Sequence, residues 1–294
     1  MKKIAIFLMI VILTLCLAGC NAPACGQIAA TTAPVWEFTS ALCEGTPLTV
    51  SRLVTENVSC LHDYSLTVRQ MKLVEQCDVV VISGAGLEEF MADLLNSKSV
   101  IDASRNVSLL EMGSHEHHEE ENHEHGHHHA HDPHIWLSPA NGLLMAQTIC
   151  EELSNLYPDY SQTFQENLST LAVQFDDLQT YGERELSDLS CDHLITFHDG
   201  FGYLADAFDL HILKAIEEES GSEASAHELI ELISLVRDHH LPAVFTEVNG
   251  SPAAASVICA ETGIDSFALD MAMGGASYFD SMYHNIDTLK EALQ

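Results

Sequence analysis

The sequence predicts an α/β protein of two lobes, each a parallel-sheet α/β sandwich, bridged by one long rigid helix. Short β-like runs alternate with helical patterns between residues 28 and 102, and the same alternation returns between residues 193 and 269. Alternation of this kind favours parallel sheets, because a crossover must bring the chain back to the same edge. Between the two regions, residues 158–189 contain one glycine, Gly182, and no internal proline, as a long helix requires.

The first lobe is predicted over residues 28–157. Runs rich in β-branched residues predict four strands, at Ile28–Thr32, Leu48–Val54, Val79–Ser83 and Val100–Asp102. Helical spacing of apolar residues predicts three helices, at Val35–Cys43, Thr67–Glu75 and Leu87–Leu95. Further along, Ser138 and Pro139 are typical of the N-cap and first turn of another helix.

The second lobe is predicted over residues 190–294, after a connecting helix at residues 158–189. Its candidate strands are His193–Thr196, Ile212–Ile216, Ala243–Thr246 and Ser266–Leu269. The sequence from Ser225 to Glu228 is a capping-box pattern that begins a helix with one apolar face. In the connector, apolar residues recur at helical spacing, at Phe164, Leu168, Leu171, Phe175 and Leu178. A helix of about thirty residues spans about 45 Å.

Residues 1–19 have the features of a signal peptide. Lys2 and Lys3 precede the apolar run Ile4–Leu17, which is short for a membrane span and right for secretion. The run closes with L-A-G-C, which resembles a bacterial lipobox and implies cleavage before Cys20 and lipidation of its sulfur. Residues 20–27 are then a lipidated tether that anchors an extracytoplasmic lipoprotein to the bacterial cell membrane. The alternative is an uncleaved anchor or an ordinary signal peptide.

Charge and cysteine content narrow the class of protein. The chain has 44 Asp and Glu residues against 11 Lys and Arg residues, so it will not bind nucleic acid through the phosphates. Seven cysteines follow Cys20 without a CxxC pair, and their disulfide connectivity stays open. Cys60 lies two residues before His62, which keeps a thiolate metal ligand as one alternative.

A histidine-rich tract runs from His115 to His131, with nine histidines and five glutamates among its seventeen residues. It cannot bury an apolar face, so it is predicted to be a disordered surface loop. Imidazoles and carboxylates at this density bind zinc, nickel or copper with loose geometry, and the alternative is a charge-rich spacer. The H-E-x-x-H match at His123–His127 is accidental, because that motif needs a helix. The weak ligands are His115, His117, His118, His123, His125, His127, His128, His129 and His131.

The composition changes after Pro133. Ile135, Trp136 and Leu137 are apolar, and their packing would fix the direction of His134. The sequence therefore predicts mobile ligands up to His131 and a held histidine at position 134.

Three histidine segments resemble a known family. The sequences LHDYSLT, DPHIWLSP and FHDGFGYLADAFDL, in that order and at those separations, strongly resemble the histidine segments of zinc-binding lipoproteins that serve metal ABC importers. VVVISGAGLEEFM and FTEVNGSPAAASVICAETG resemble further family segments, and the resemblance spans roughly residues 28–294. It implies a metal site in the cleft between two α/β lobes bridged by one long helix.

The resemblance also implies a ligand set. His62 and His134 match first-lobe ligands, His198 matches a second-lobe ligand, and Asp270 matches the late aspartate, with water as the alternative fourth ligand. Glu247 matches a family glutamate near the cleft, where it supports the structure or a ligand. The sequence V-S-C-L-H departs from the family because it lacks the usual Gly and Pro before the first histidine. The histidines without motif context are interpreted as surface or packing residues: His193, His211, His227, His239 and His284.

Three neutral imidazoles and one carboxylate suit tetrahedral Zn²⁺, and four protein ligands leave no open position for an activated water. The resemblance therefore implies a monomeric, non-enzymatic protein that captures Zn(II) with high affinity and delivers it to an ABC-type membrane permease. His198 stands where manganese-selective relatives have glutamate, which favours zinc. The alternatives are an exported zinc-dependent hydrolase, with Asp270 as base and water as the fourth ligand, and a surface adhesin of the same fold.

Overall fold

Two four-stranded parallel sheets form the centres of two lobes, as the alternation of strands and helices predicts. The structure is a computed structural model that describes residues 28–56, 58, 61, 64–111, 131–216, 224–275 and 277–294. The predicted signal peptide, Cys20 and the tether lie outside the described residues. Within the described part of the chain, no helix is both long enough and apolar enough to cross a membrane.

The first sheet consists of β1 (Ile28–Ala30), β2 (Val50–Arg52), β3 (Val79–Ile82) and β4 (Ser99–Asp102). Its order is β2-β1-β3-β4, and all neighbouring strands are parallel. β1 and most of β3 are buried on both faces, which explains their continuous apolar sequences. The helices of this lobe are α1 (Ala33–Leu42), α2 (Val68–Gln76), α3 (Ala92–Leu95) and α4 (Pro139–Leu156).

The second sheet repeats this topology. Its strands are β5 (His193–Thr196), β6 (His211–Ala215), β7 (Ala243–Glu247) and β8 (Asp265–Leu269), in the order β6-β5-β7-β8. All neighbours are again parallel. The strand order reverses between β5 and β7, and a crevice at such a point, outside the carboxyl ends of the strands, is where ligands bind in open α/β sheets. The helices of this lobe are α6 (Gly202–Ala207), α7 (Ala226–His239), α8 (Ala253–Thr262) and α9 (Tyr278–Leu293).

Three helix starts follow from local sequence chemistry. Ser138 caps α4, since its hydroxyl accepts a hydrogen bond from the Asn141 amide, and a proline occupies the first turn. Thr67 and Ser225 form reciprocal capping boxes at α2 and α7. The start at Ser138 and the capping box at Ser225 are as predicted.

The connecting helix is shorter than predicted. A 3-10 turn at Pro158–Tyr160 precedes α5, which runs from Ser161 to Glu185 over 25 residues. At 1.5 Å per residue, α5 is about 37 Å long. The helix ends at Glu185, and the Ser187 hydroxyl donates to the Arg184 carbonyl just beyond that end.

The buried face of α5 joins the two lobes through one core. Phe164, Leu171, Phe175 and Leu178 of this face are buried, as their spacing predicts. Tyr278 at the start of α9 is fully buried against Phe38 of α1, with ring centroids 5.0 Å apart, and also contacts Phe175. The backbone amide of Tyr278 donates to the Glu37 carboxylate at 2.6 Å. A second-lobe helix therefore completes the core of the first lobe.

The predicted helix Leu87–Leu95 is wrong in its first half. Residues Glu89–Met91 form a 3-10 turn, and only α3 continues as α-helix. The cause is the side chain of Glu88, which turns into the protein and bonds the preceding loop. It is 4% exposed, and it accepts hydrogen bonds at 2.6–3.0 Å from the Thr31 hydroxyl and from the amides of Ser83 and Gly84.

The carboxyl group of Glu88 is perturbed by this environment. Burial raises its pKa from 4.5 to about 7, and the negative charge of Asp102 adds to the rise. The three hydrogen-bond donors act in the opposite direction, because they favour the ionised carboxylate. The group ties the ends of β1 and β3 together at the carboxyl edge of the first sheet.

Candidate metal centre

His134 is held by buried neighbours and by a carboxylate. It precedes a 3-10 turn of Ile135, Trp136 and Leu137, all fully buried, and is itself 0% exposed. Asp132 Oδ1 accepts the His134 backbone amide at 2.9 Å and lies 2.8 Å from His134 Nδ1. The Asp132 carboxylate accepts a hydrogen bond from Nδ1–H, so Nε2 is the ring nitrogen on the side away from Asp132. The predicted anchoring of His134 has this physical basis.

His198 is held in the same way from the second lobe. It follows β5, and Glu247 ends β7, so both residues lie where the strand order reverses. His198 Nδ1 is 3.0 Å from Glu247 Oε1, and both side chains are mostly buried. The Glu247 carboxylate therefore orients the imidazole of His198.

The two imidazoles meet at one point. His134 Nε2 and His198 Nε2 are 3.4 Å apart, and the ring centroids are 5.0 Å apart. Two Zn–N bonds of 2.0–2.1 Å at a tetrahedral angle place their nitrogens about 3.3 Å apart. Each ring meets the other through Nε2, the nitrogen on the side away from its carboxylate partner. The geometry suits shared metal ligation by both lobes.

Gly200 leaves the space for this meeting. A Cβ atom at position 200 would lie 2.5 Å from His198 Cδ2, 2.8 Å from His198 Nε2 and 2.9 Å from His134 Cε1. Real side chains do not approach this closely, so any other residue would displace both rings. The glycine in F-H-D-G-F-G-Y is thus a requirement of the histidine pair.

Asp270 is fixed at the end of β8 by its own hydrogen bonds. Its Oδ1 accepts the Ala272 amide at 2.8 Å and its Oδ2 accepts the Ser281 hydroxyl at 2.9 Å. The Asn285 side chain bonds both the amide and the carbonyl of Asp270. In the described residues, no three His, Cys, Asp or Glu side chains are grouped closely enough to hold a metal, so Asp270 does not join the histidine pair in this conformation.

The loop after Asp270 is attached to the first lobe. Trp136 Nε1 donates to the Met271 carbonyl at 2.8 Å, and the Tyr278 hydroxyl donates to the Trp136 carbonyl at 2.8 Å. Arg52 donates to the Met273 carbonyl. Trp136 therefore links the His134 segment to the Asp270 segment across the cleft.

Several predicted site residues lie outside the described residues. These are His62, Cys60, and every histidine of the tract except His131. His131 is exposed and forms an isolated antiparallel bridge with Glu111. On the flanks of position 62, Leu61 is fully buried and its carbonyl accepts the Tyr64 amide at 3.1 Å.

The histidines without motif context lie elsewhere. His193 and His211 are paired in register at the amino ends of β5 and β6, with ring centroids 5.6 Å apart, and the ring of His239 is 5.8 Å from that of His193. This edge of the sheet is opposite the histidine pair. His227 is exposed on α7 and faces Glu231. Four described cysteines are free thiols: Cys43, Cys150, Cys191 and Cys259.

Comparison with known proteins identifies the family of this chain. A family model described as zinc-uptake complex component A, periplasmic (ZnuA) matches residues 28–292. The chain belongs to this family. The resemblance and the two-lobe fold that the sequence predicts are both confirmed.

Two curated relatives are similar in sequence over most of the chain. The zinc-binding protein AdcA of Streptococcus pyogenes serotype M3 is 28% identical over 286 residues, which cover 90% of this chain and 55% of the relative. The zinc-binding lipoprotein AdcA of Streptococcus pneumoniae strain R6 is 28% identical over 283 residues. The chain spans about half the length of these AdcA relatives (55%).

Several solved structures superpose over most of the chain. A crystal structure of ZnuA has a TM-score of 0.79 and 27% identity, and covers 91% of this chain and 98% of that one. Zn(II)-bound AdcA from Streptococcus pneumoniae has a TM-score of 0.75 and 25% identity, and covers 90% of this chain and 57% of that one. The laminin-binding protein Lmb of Streptococcus agalactiae, at 21% identity and a TM-score of 0.77, shares the fold.

Proposed function

We propose that this chain captures Zn²⁺ outside the cytoplasm and delivers it to an ABC-type membrane permease. The observation that carries the proposal is the pair of imidazole Nε2 atoms at 3.4 Å, one from each lobe. Each ring is oriented by a carboxylate, which is the arrangement that fixes a histidine for metal binding. The names of the AdcA relatives and the zinc-uptake family support zinc as the cargo.

The proposed ligands are His62, His134, His198 and Asp270. His134 and His198 need no rearrangement, whereas Asp270 must approach the pair or leave its position to water. Three imidazoles and a carboxylate suit zinc better than manganese, which prefers harder oxygen ligands. With four protein ligands the ion has no open position for catalysis, so the proposed role is transport and not hydrolysis.

The remaining parts of the proposal concern location and supply. The signal peptide and Cys20 lipidation would tether a monomeric body of residues 28–294 at the extracytoplasmic side of the membrane. The histidine tract would gather zinc and raise its local concentration, which matters when zinc is scarce. The name of the pneumococcal relative, a zinc-binding lipoprotein, supports the tether.

A zinc titration of the mature chain tests the proposal. Competition with a chelator should reveal one tight equivalent, and weaker equivalents that disappear when residues 115–131 are deleted. His134→Ala and His198→Ala should each abolish the tight equivalent, because each removes one of two preset ligands. His227→Ala is the matched control, since its side chain is 80% exposed and lies on α7. Survival of the tight equivalent in both ligand variants contradicts the proposed centre.

Delivery is tested separately from binding. Bacteria that lack the gene for this chain should grow poorly in zinc-depleted medium, and the wild-type gene should restore growth where His198→Ala does not. Hydrolysis of ester or amide substrates by the zinc-loaded chain would instead favour the enzyme alternative.

A further inference from the structure

The two ends of the histidine tract meet in a short neck, which consists of Leu110, Glu111, His131 and Asp132. The Asp132 amide donates to the Leu110 carbonyl at 2.9 Å, and Glu111 and His131 form an antiparallel bridge. The neck belongs to the first lobe. Asp132 is also the residue whose carboxylate orients His134.

A tyrosine of the second lobe closes this neck. Tyr203, on α6, is 2% exposed. Its hydroxyl accepts the Leu110 amide at 2.9 Å and donates to the Asp132 carbonyl at 3.0 Å, so one oxygen bonds both sides of the neck. The neighbouring Gly202 packs closely, since a Cβ there would lie 3.1 Å from Asp132 Oδ2. Burial raises the pKa of Tyr203 to about 12, so the hydroxyl keeps its proton as a donor.

The path from Tyr203 to the metal centre is short and continuous. It runs from the hydroxyl to the Asp132 carbonyl, and from the Asp132 carboxylate to Nδ1 of His134. A carboxylate that orients a ligating histidine must itself be held, because loss of such a partner typically weakens metal affinity ten- to a hundredfold. Position 132 needs this support because it comes directly after His131, which nineteen residues separate from Glu111. The loss of chain entropy on closing so long a segment opposes formation of the neck.

We propose that Tyr203 is a positioning residue of the metal centre: its hydroxyl closes the neck and thereby holds Asp132 where it orients His134. This inference rests on the proposed zinc-binding function and adds to it the way in which the second lobe controls a first-lobe ligand.

Tyr203→Phe tests the role of the hydroxyl because it preserves the ring and its packing. The affinity for zinc, measured by chelator competition on the full mature chain, should fall about tenfold, the scale of one net hydrogen bond. Tyr181→Phe is the matched control, since the Tyr181 hydroxyl on α5 donates to Asp287 on α9 and this hydrogen bond is exposed. That control should bind zinc as tightly as the wild type does.

A shortened chain in which the neck closes without Tyr203 shows whether the hydroxyl acts by positioning Asp132 or only by packing. Replacing residues 112–130 by Asn-Gly joins Glu111 to His131 through a two-residue hairpin turn, which closes the neck without help from Tyr203. In this background Tyr203→Phe should lose no more than about twofold in zinc affinity. A tenfold loss in both backgrounds would overturn the inference, because the hydroxyl would then act by a route other than the neck. So would an unchanged affinity in the long-tract chain.

Hydrogen exchange in the wild-type chain tests the closed neck without any variant that could misfold. The Leu110 amide should exchange its hydrogen much more slowly than the amides of the tract, because it donates to a buried hydroxyl. Exchange of Leu110 at the rate of the tract amides would refute the closed neck. If the wild type lacks a tight zinc equivalent, the proposed function fails; if it has one and Tyr203→Phe equals it, only the present inference fails.

Discussion

Replacing Gly200 by alanine should disable the histidine pair without changing any ligand. The added Cβ would lie 2.5–2.9 Å from atoms of both imidazoles. To reach ordinary contact at about 3.5 Å, the rings must retreat by roughly 0.6–1.0 Å. Metal–ligand distances tolerate changes of about 0.2 Å, so a retreat of this size breaks the shared coordination position.

The magnitude follows from the cost of overpacking. Insertion of a methyl group into a packed site costs about 1–3 kcal/mol, which corresponds to about 5- to 150-fold weaker zinc binding if the ligand geometry bears the strain. Asp132 and Glu247 each bond Nδ1 of one ring, and rotation of either ring away from the added methyl group would break that bond. The overpacking therefore displaces the two imidazoles. Zinc affinity by chelator competition is the assay, together with thermal unfolding to establish that the variant is folded.

Gly250→Ala serves as the control for this substitution. It adds the same methyl group beside Glu247 of the same lobe, but the nearest atoms lie at 3.4 Å, the edge of ordinary van der Waals contact. It should bind zinc within about twofold of the wild type. Equal zinc affinity of folded Gly200→Ala and wild type would refute the reasoning, since the pair could then not be the place where zinc binds.

Three further predictions concern selectivity and pH. His198→Glu should lose zinc affinity and let manganese compete, because an oxygen ligand replaces an imidazole; a wild type that prefers manganese in the same competition would remove the assignment of His198. Zinc affinity should fall steeply below about pH 6, because zinc must displace protons from imidazoles with an ordinary pKa of about 6.5, and a flat titration from pH 7.5 to 5 would contradict histidine ligation. The pKa of Glu88 is raised from 4.5 to about 7 in the folded state, so between these pH values the folded chain keeps a proton that the unfolded chain has lost. The contribution of Glu88 to the free energy of unfolding therefore falls as the pH rises from 4.5 to about 7, and it is constant above about pH 7. Relative to Glu88→Gln, the wild type should lose about 3 kcal/mol of unfolding free energy across this range in denaturant titrations, and a constant difference would mean that Glu88 is ionised throughout.

Much of the fold follows from short-range sequence signals. Alternating β-branched and amphipathic segments predict the two sheets, and Ser138-Pro139 and the capping box at Ser225 predict helix starts that the structure has. Glu88 shows where such signals fail. Its burial depends on hydrogen-bond donors of Ser83 and Thr31, which lie 5 and 57 positions away in the sequence. Helical spacing of apolar residues gives no indication of these donors.

The candidate site is predictable in part for the same reason. Apolar residues after His134 indicate that it is held, and the three histidine segments together indicate the family. The partners of the ligands are less accessible to sequence reasoning. Asp132 can be noticed in the sequence because it is a carboxylate two residues before a histidine. Tyr203 cannot, because it is 71 positions from Asp132 and only the fold brings its hydroxyl to the Asp132 carbonyl. Asp270 is tied by Ser281 and Asn285, and its distance from the histidine pair is a property of that packing.

The position of Tyr278 has a consequence for how the chain reaches its native state. Tyr278 fills the aromatic core of the first lobe beside Phe38, and its amide bonds Glu37, a residue 241 positions earlier. Such distant contacts slow folding, because the intervening chain must be ordered before the contact stabilises anything. A fragment of residues 28–157 would lack this ring, so its aromatic core would be incomplete. We therefore expect the first lobe to reach its native packing only after Tyr278 of the second lobe has been synthesised.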